Sequence, residues 1–170
     1  MVVHVRHATE EDAARIAGIY NQAVMETIAT FDTEPRSLPA QIDWLRRHDE
    51  RHPVFVADAE GEVIGWSSLS PWSDRRAYAD TAEVSVYVEP KHQGQGIGRS
   101  LLKTTVQAAE EAGLHVLLAR IADGNPASLA LHSRFGFVPV GVMHQVGRKF
   151  GRRIDVHLLE RVASGSPDAP

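Results

Sequence analysis

The chain contains no cysteine. That excludes disulfide bridges, thiolate metal sites and a thiol nucleophile. It also has no apolar run of the ~18 residues that crosses a bilayer. The segment Met1 to Arg6 leads into no long apolar region of a secretory leader, so the expected setting is cytoplasmic and away from membranes. Positive charge is in short supply: 18 Lys and Arg against 22 Asp and Glu give a net charge of −4. The densest basic cluster, Arg148, Lys149, Arg152 and Arg153, is small, so nucleic acid is not an expected partner. His48 and His52 are spaced as two ligands on one helix face. Asp49 takes the place that glutamate holds in a zincin motif and no third ligand is evident, so no metal is expected.

The remainder is ordinary for a globular protein: 170 residues, 43% hydrophobic and 24% charged. This length favours one domain with a sizeable core, expected over residues 1–162, and the small polar residues 163–170 read as a disordered tail. Val2 to Arg6 alternates as a strand. Thr9-Glu-Glu-Asp12 is a capping box that opens a helix carrying Ala13, Ile16, Ala17, Ile19, Tyr20 and Val24. Residues 27–35 read as a loop, and Ser37 with Pro39 opens a second helix that ends before Pro53. Two apolar runs, 54–57 and 63–69, form a hairpin across 59–62. A polar loop follows over 71–78. Val84, Val86 and Val88 alternate along a strand that stops at Pro90, and an amphipathic helix runs from Leu101 to Ala112. After a strand at 116–121, Asn125-Pro126 starts a short helix closed by Gly136. Strands at 138–142 and 154–160 form a final antiparallel pair joined across 147–151. The order β-α-α-β-β-β-α-β-α-β-β is α+β, with a mixed, mostly antiparallel sheet flanked by helices.

Chemistry is concentrated in Glu83-Val-Ser-Val-Tyr-Val-Glu-Pro-Lys-His-Gln-Gly-Gln-Gly-Ile-Gly98. A strand, a loop with glycines at 94, 96 and 98, and a helix start form a phosphate cradle. Glycine lets backbone N–H groups approach an anion, and the helix N-terminus adds partial positive charge. The dinucleotide fingerprint fails because Arg99 stands where its third glycine belongs, and no Gly-Lys-Ser/Thr of a P-loop is present. Gln93, Gly96 and Gly98 instead fit Gln-x-x-Gly-x-Gly. That loop resembles the acetyl-CoA pyrophosphate loop of the GNAT superfamily of N-acetyltransferases, and the element order resembles the GNAT fold over roughly the whole of residues 1–161.

Several short segments resemble one branch, the phosphinothricin and methionine sulfoximine N-acetyltransferases. They are Phe31-Asp-Thr-Glu-Pro35, Pro71-Trp72, Arg75-Arg-Ala-Tyr78, Glu83 to Val88, Gly124-Asn-Pro126, Leu131-His-Ser-Arg-Phe-Gly-Phe137 and Gly147-x-Lys149-x-Gly151. The resemblance implies acetyl transfer from acetyl-CoA to the α-amine of a small amino acid analogue, and a homodimer. An ammonium has no lone pair, so the acceptor needs a base; Glu83, which begins the central strand, matches the branch's proposed base. His132 stands where many GNAT enzymes hold a tyrosine that protonates the leaving thiolate; it could donate, accept, or only bind. For the coenzyme, the resemblance implies the main chain of Val86, Tyr87 and Val88, the segment Gly94, Gln95, Gly96, Ile97, Gly98 and Arg99, and Asn125. An N-cap before Pro126 explains Asn125 equally well. For the acceptor it implies Arg75 or Arg76 on a carboxylate, with Phe31, Trp72, Tyr78 and Lys149 around it. Arg153 departs from the branch, which has tryptophan there. Two other readings remain open: acetylation of protein N-termini or lysines, and a non-catalytic acyl-CoA sensor.

Overall fold

The computed structural model describes residues 2–164, so most of the expected tail lies outside the described residues. Eleven main elements follow in order: β1 (Val3–His7), α1 (Ala13–Glu26), α2 (Leu38–Arg46), β2 (Val54–Ala59), β3 (Glu62–Pro71), β4 (Thr81–Val88), α3 (Ile97–Glu111), β5 (Val116–Ala122), α4 (Pro126–Ser133), β6 (Val138–Lys149) and β7 (Arg152–Val162). They build a seven-stranded sheet of order β1-β2-β3-β4-β5-β7-β6. Every neighbouring pair is antiparallel except β4 and β5. No helix among the described residues is long and apolar enough to cross a membrane.

Period-two alternation sends each strand's apolar residues to two cores. Val54, Val56, Val63 and Trp66 meet Ile16, Ile19, Tyr20 and Val24 of α1 on one face. Leu69, Val84, Leu117, Ala119 and Ile121 meet Leu102, Val106 and Ala109 of α3 on the other. The capping residues act as their chemistry requires. The Thr9 amide donates to Asp12 Oδ2 at 2.8 Å, and Ser37 Oγ accepts from the Ala40 amide at 3.3 Å.

Two elements differ from expectation. α3 begins at Ile97, four residues before Leu101, because Gly96 takes a left-handed φ of 85° at the N-cap and frees the following amides to start the helix. β6 runs on to Lys149 instead of stopping at Val142. It absorbs irregular spacing as bulges at Pro139/Gly141 and Met143/Gly147, then turns through Phe150 and Gly151, both at positive φ. Of the expected connection at 147–151, Gly147 is a bulge residue within β6 and only Phe150 and Gly151 form the turn.

The site-forming event is in the middle of the sheet. β4 pairs with β3 along its length, from Ala82↔Pro71 to Val88↔Gly65. It pairs with β5 only over Thr81–Glu83 against Val116–Leu118. Past Glu83 the two parallel strands separate, and β4 presents an unpaired backbone edge to the gap.

Candidate active site

A cleft of about 570 Å³ occupies that separation. β4 supplies Glu83, Ser85, Val86 and Tyr87, and β5 supplies Arg120. α4 with its preceding turn supplies Asn125, Ser128 and His132, while the segment after α1 supplies Ala29, Thr30, Phe31 and Asp32. Because Val84 of β4 and Ala119 and Ile121 of β5 pack against α3, alternation turns Glu83, Ser85, Tyr87 and Arg120 to the α1 face. His132 and Asn125 approach from α4 on the opposite side of the sheet. The gap therefore has two mouths, one lined by ionic side chains and one by α4.

Glu83 and Arg120 form a bidentate ion pair: Nε donates to Oε1 at 2.6 Å and Nη2 to Oε2 at 2.7 Å. The carboxylate raises the Arg120 pKa, which burial opposes. The guanidinium carbon also lies 5.6 Å from the Trp72 ring centre. Arg120 was not singled out from the sequence, since 37 residues separate it from Glu83. The available signal was a lone arginine at an alternate position in the apolar run Leu117-Leu-Ala-Arg-Ile-Ala122.

His132 is only 4% exposed. Its Nδ1 lies 2.9 Å from the Ser128 carbonyl, and its ring packs edge-on against Phe137. A carbonyl only accepts, so Nδ1 carries the proton and the neutral ring presents a lone pair at Nε2. Burial pushes the imidazole below its ordinary pKa, with the Ser128 hydrogen bond opposing. Asn125 Oδ1 accepts from the Ser128 amide at 3.2 Å and caps α4; its NH₂ group remains available to a ligand.

The segment after α1 roofs the ionic mouth. Tyr20 OH donates to Asp32 Oδ2 at 2.5 Å and shares a bond with Thr30 Oγ1 at 2.9 Å. Burial and the Asp32 carboxylate together push the Tyr20 phenol up to about 12. Tyr87 OH donates to the Ala29 carbonyl at 3.3 Å. Lys149 reaches in from β6, and its Nζ donates to the Thr30 carbonyl at 2.7 Å. Lys149 is 4% exposed, and its burial lowers its pKa. The Phe31 ring lies so close to Gly147 that a Cβ there would collide with it.

The structure therefore gathers Glu83, Val86, Tyr87, Asn125, His132 and Phe31 around one cleft. Val88 ends β4 just beyond. Gly94 to Arg99 lie at the α3 N-terminus next to that strand end, where the Gln93 side chain donates to the Val88 carbonyl at 3.0 Å. Gly94 and Gly96 have φ of 75° and 85°. Gln95 is tied to the Lys91 carbonyl and Ile97 is buried in the core, so these positions offer main-chain groups to a ligand. Trp72 touches the cleft only through Arg120. Arg75, Arg76 and Tyr78 sit on an exposed 3-10 turn outside its lining. Lys149 braces the roof from behind. Among the described residues no cluster of three His, Asp or Glu side chains could hold a metal.

A strand gap beside a glycine-started helix is the geometry of an acyl-CoA acyltransferase, and comparison with known proteins agrees. Residues 16–137 match the acetyltransferase (GNAT) family. A phosphinothricin N-acetyltransferase of Streptomyces coelicolor is 43% identical over 163 residues, covering 94% of this chain and 95% of its own. The crystal structure of ribosomal-protein-alanine N-acetyltransferase from Brucella melitensis shares 39% identity, with a TM-score of 0.91 over 94% of this chain and 99% of its own. The structure of yncA from Salmonella typhimurium with its cofactor acetyl-CoA shares 35%, with a TM-score of 0.93 over all of both chains. The chain belongs to the GNAT family and is an acetyl-CoA-dependent N-acetyltransferase.

Proposed function

We propose that this acetyltransferase modifies the α-amine of a small amino acid analogue of the phosphinothricin or methionine sulfoximine/sulfone type, by direct attack within a ternary complex. The observation that carries this reading is the β4–β5 gap, which has an anionic-and-cationic mouth on one side and α4 on the other. The pantetheine arm would pair with the free edge of Val86, Tyr87 and Val88. The pyrophosphate would sit on the amides of Gly94 to Arg99.

In the reaction the amine nitrogen attacks the thioester carbonyl, a C–N bond forms, and collapse breaks the C–S bond. The ammonium gives up one proton before attack, directly or through water to Glu83, whose carboxylate keeps two lone-pair sites beyond those used by Arg120. A second proton leaves nitrogen as the tetrahedral species collapses. Neutral His132 Nε2 is suited to take a proton and return it to the departing thiolate. Main-chain N–H groups near Tyr87 and Val88 would stabilise the oxyanion.

The acceptor is tested by following thiol release with phosphinothricin, methionine sulfoximine, methionine sulfone and an alanine-terminated peptide. Release with the amino acid analogues and not the peptide supports the proposal. The Brucella relative's name favours the peptide as a second reading, and turnover of the peptide alone would establish it. Glu83→Gln should lower kcat roughly 100-fold, the scale of a lost general base, while acetyl-CoA still binds. Wild-type rates from that variant between pH 7 and 9 would remove Glu83 from the proton path. We also propose that the chain forms a homodimer.

A further inference from the structure

The amino acid acceptor proposed above carries a carboxylate, and an anion entering a cleft that holds Asp32 and Glu83 needs a cation. The arginines expected from sequence do not line it. Arg75 and Arg76 project from the exposed turn before β4, and Lys149 is spent on the Thr30 carbonyl. Among the described residues lining the cleft, the charged side chains are Asp32, Glu83 and Arg120, with His132 held neutral. Arg120 is the permanent cation of that group.

We propose that Arg120 reads the acceptor's carboxylate and that Glu83, its ion-pair partner, receives the acceptor's ammonium, so that the pair recognises an α-amino acid as a zwitterion. The proposal rests on the acceptor class argued above. Three features support it. First, a guanidinium has two forks. Glu83 occupies the Nε/Nη2 fork at 2.6 and 2.7 Å, and Nη1 has no hydrogen-bond partner among the described residues. The second fork, Nη1 with Nη2, is thus open to a bidentate carboxylate. Second, the guanidinium is already oriented, by two charge-assisted bonds on its edge and by the Trp72 ring 5.6 Å away, so binding costs little ordering. Third, the Arg120 side chain is 52% exposed against 20% for Glu83, so the cation is accessible while the carboxylate sits deeper, towards the strand gap. An amino acid laid on this pair directs its nitrogen inward, to where the thioester would lie, and its carboxylate outward. Glu83 then both holds Arg120 and aims the nucleophile.

The site should refuse acceptors that leave the open fork of Arg120 empty. An acceptor whose α-carboxylate is capped, as in an amide or at a peptide N-terminus, leaves the open fork unpaired. A hydrogen-bonded charge contact contributes about 1.5–3 kcal/mol, so the free acid should exceed its amide in kcat/KM by roughly 10- to 150-fold.

The test compares methionine sulfone with methionine sulfone amide as acceptors for wild type, Arg120→Met and Arg120→Lys, with acetyl-CoA affinity measured in parallel as a check on folding. In Arg120→Met the acid-to-amide ratio should collapse towards one, through a raised KM for the acid. Arg120→Lys should restore part of the ratio, because it keeps the charge and loses the fork. Any general damage, including that caused by leaving Glu83 without its partner, falls on both acceptors and cancels in the ratio. A ratio that survives in Arg120→Met, or in Arg120→Lys at full wild-type value should the methionine variant not fold, overturns the role of Arg120 alone. Turnover of a peptide with neither acid nor amide accepted overturns the acceptor class and the role of Arg120 together.

Discussion

His132 shows how a single backbone contact selects chemistry. Its Nδ1 faces the carbonyl of Ser128, one helical turn back, and its ring is buried against Phe137. Both features favour the neutral ring with the lone pair at Nε2. Its pKa lies below the ordinary value near 6.5, so the neutral form of His132 predominates from there upward. If His132 entered the cycle already protonated, kcat would fall as pH rose through the mid-sixes. We predict the opposite: kcat climbs with pH and levels off only where the acceptor amine has lost its proton. His132→Asn should lower kcat by roughly 10- to 100-fold, within the range of positioned acid–base groups. A kcat that declines between pH 6 and 8 would eliminate the proton-acceptor role. The same shift has a stability consequence with a fixed sign. The unfolded chain binds this proton more readily than the folded one, so stability is full above about pH 6.5 and falls as pH drops from there through the folded pKa.

At the scale of elements, the closing hairpin and the segment after α1 form one mechanical unit. Lys149 of β6 holds Thr30 from beneath, Gly147 leaves room for the Phe31 ring, and Tyr20 and Tyr87 fix Asp32 and Ala29. Gly147→Ala places a methyl group where the ring lies. Phe31 is 37% exposed, so it can swing towards solvent and does not force a core rearrangement. The penalty therefore belongs to the acceptor site: KM for the amino acid should rise roughly tenfold, about 1.4 kcal/mol, while the melting temperature falls by only about 2–4 °C. An unchanged KM with a large drop in melting temperature would show that Phe31 is a packing residue and not a wall. Much of this unit was hidden in the sequence. Gly147 and Gly151 read naturally as a loop, because bulge glycines and turn glycines look alike until a partner strand sets the register. Local signals were far more informative. The Thr9 and Ser37 caps and the valine alternation of β4 each act within a few residues, and the structure uses them as read. The Glu83–Arg120 pair lies at the other extreme. It exists only because β4 and β5 align for three residues and then part, and no short window of sequence contains that fact.

Among the described residues, β6 leaves an apolar edge of the sheet uncovered. β6 is twelve residues long and forms the last strand of the sheet, paired with β7 on one side only. Val138, Val140 and Val146 along it are 54%, 52% and 57% exposed, and Phe150 at the hairpin tip is 58% exposed. A long apolar edge strand with free backbone groups is a template for association, and proteins that stay monomeric guard such edges with charge, proline or short length. Here Pro139 interrupts the run and Arg148 is the exposed charge near its end, while Lys149 turns inward to Thr30. A second copy of the chain, offering the same patch about a two-fold axis, would cover the valines symmetrically. It would also brace the hairpin that carries Gly147 and Lys149, so assembly and the acceptor site would be linked. We predict a dimer in sedimentation equilibrium at micromolar concentration. Val140→Lys, a charge placed on the exposed edge away from the cleft lining, should shift the chain to monomer. If bracing matters, acceptor KM rises in the monomer while acetyl-CoA affinity, proposed to be set at β4 and α3, stays the same. A monomeric wild type would refute the assembly. A monomeric Val140→Lys with unaltered acceptor KM would keep the dimer and show that each site stands on its own.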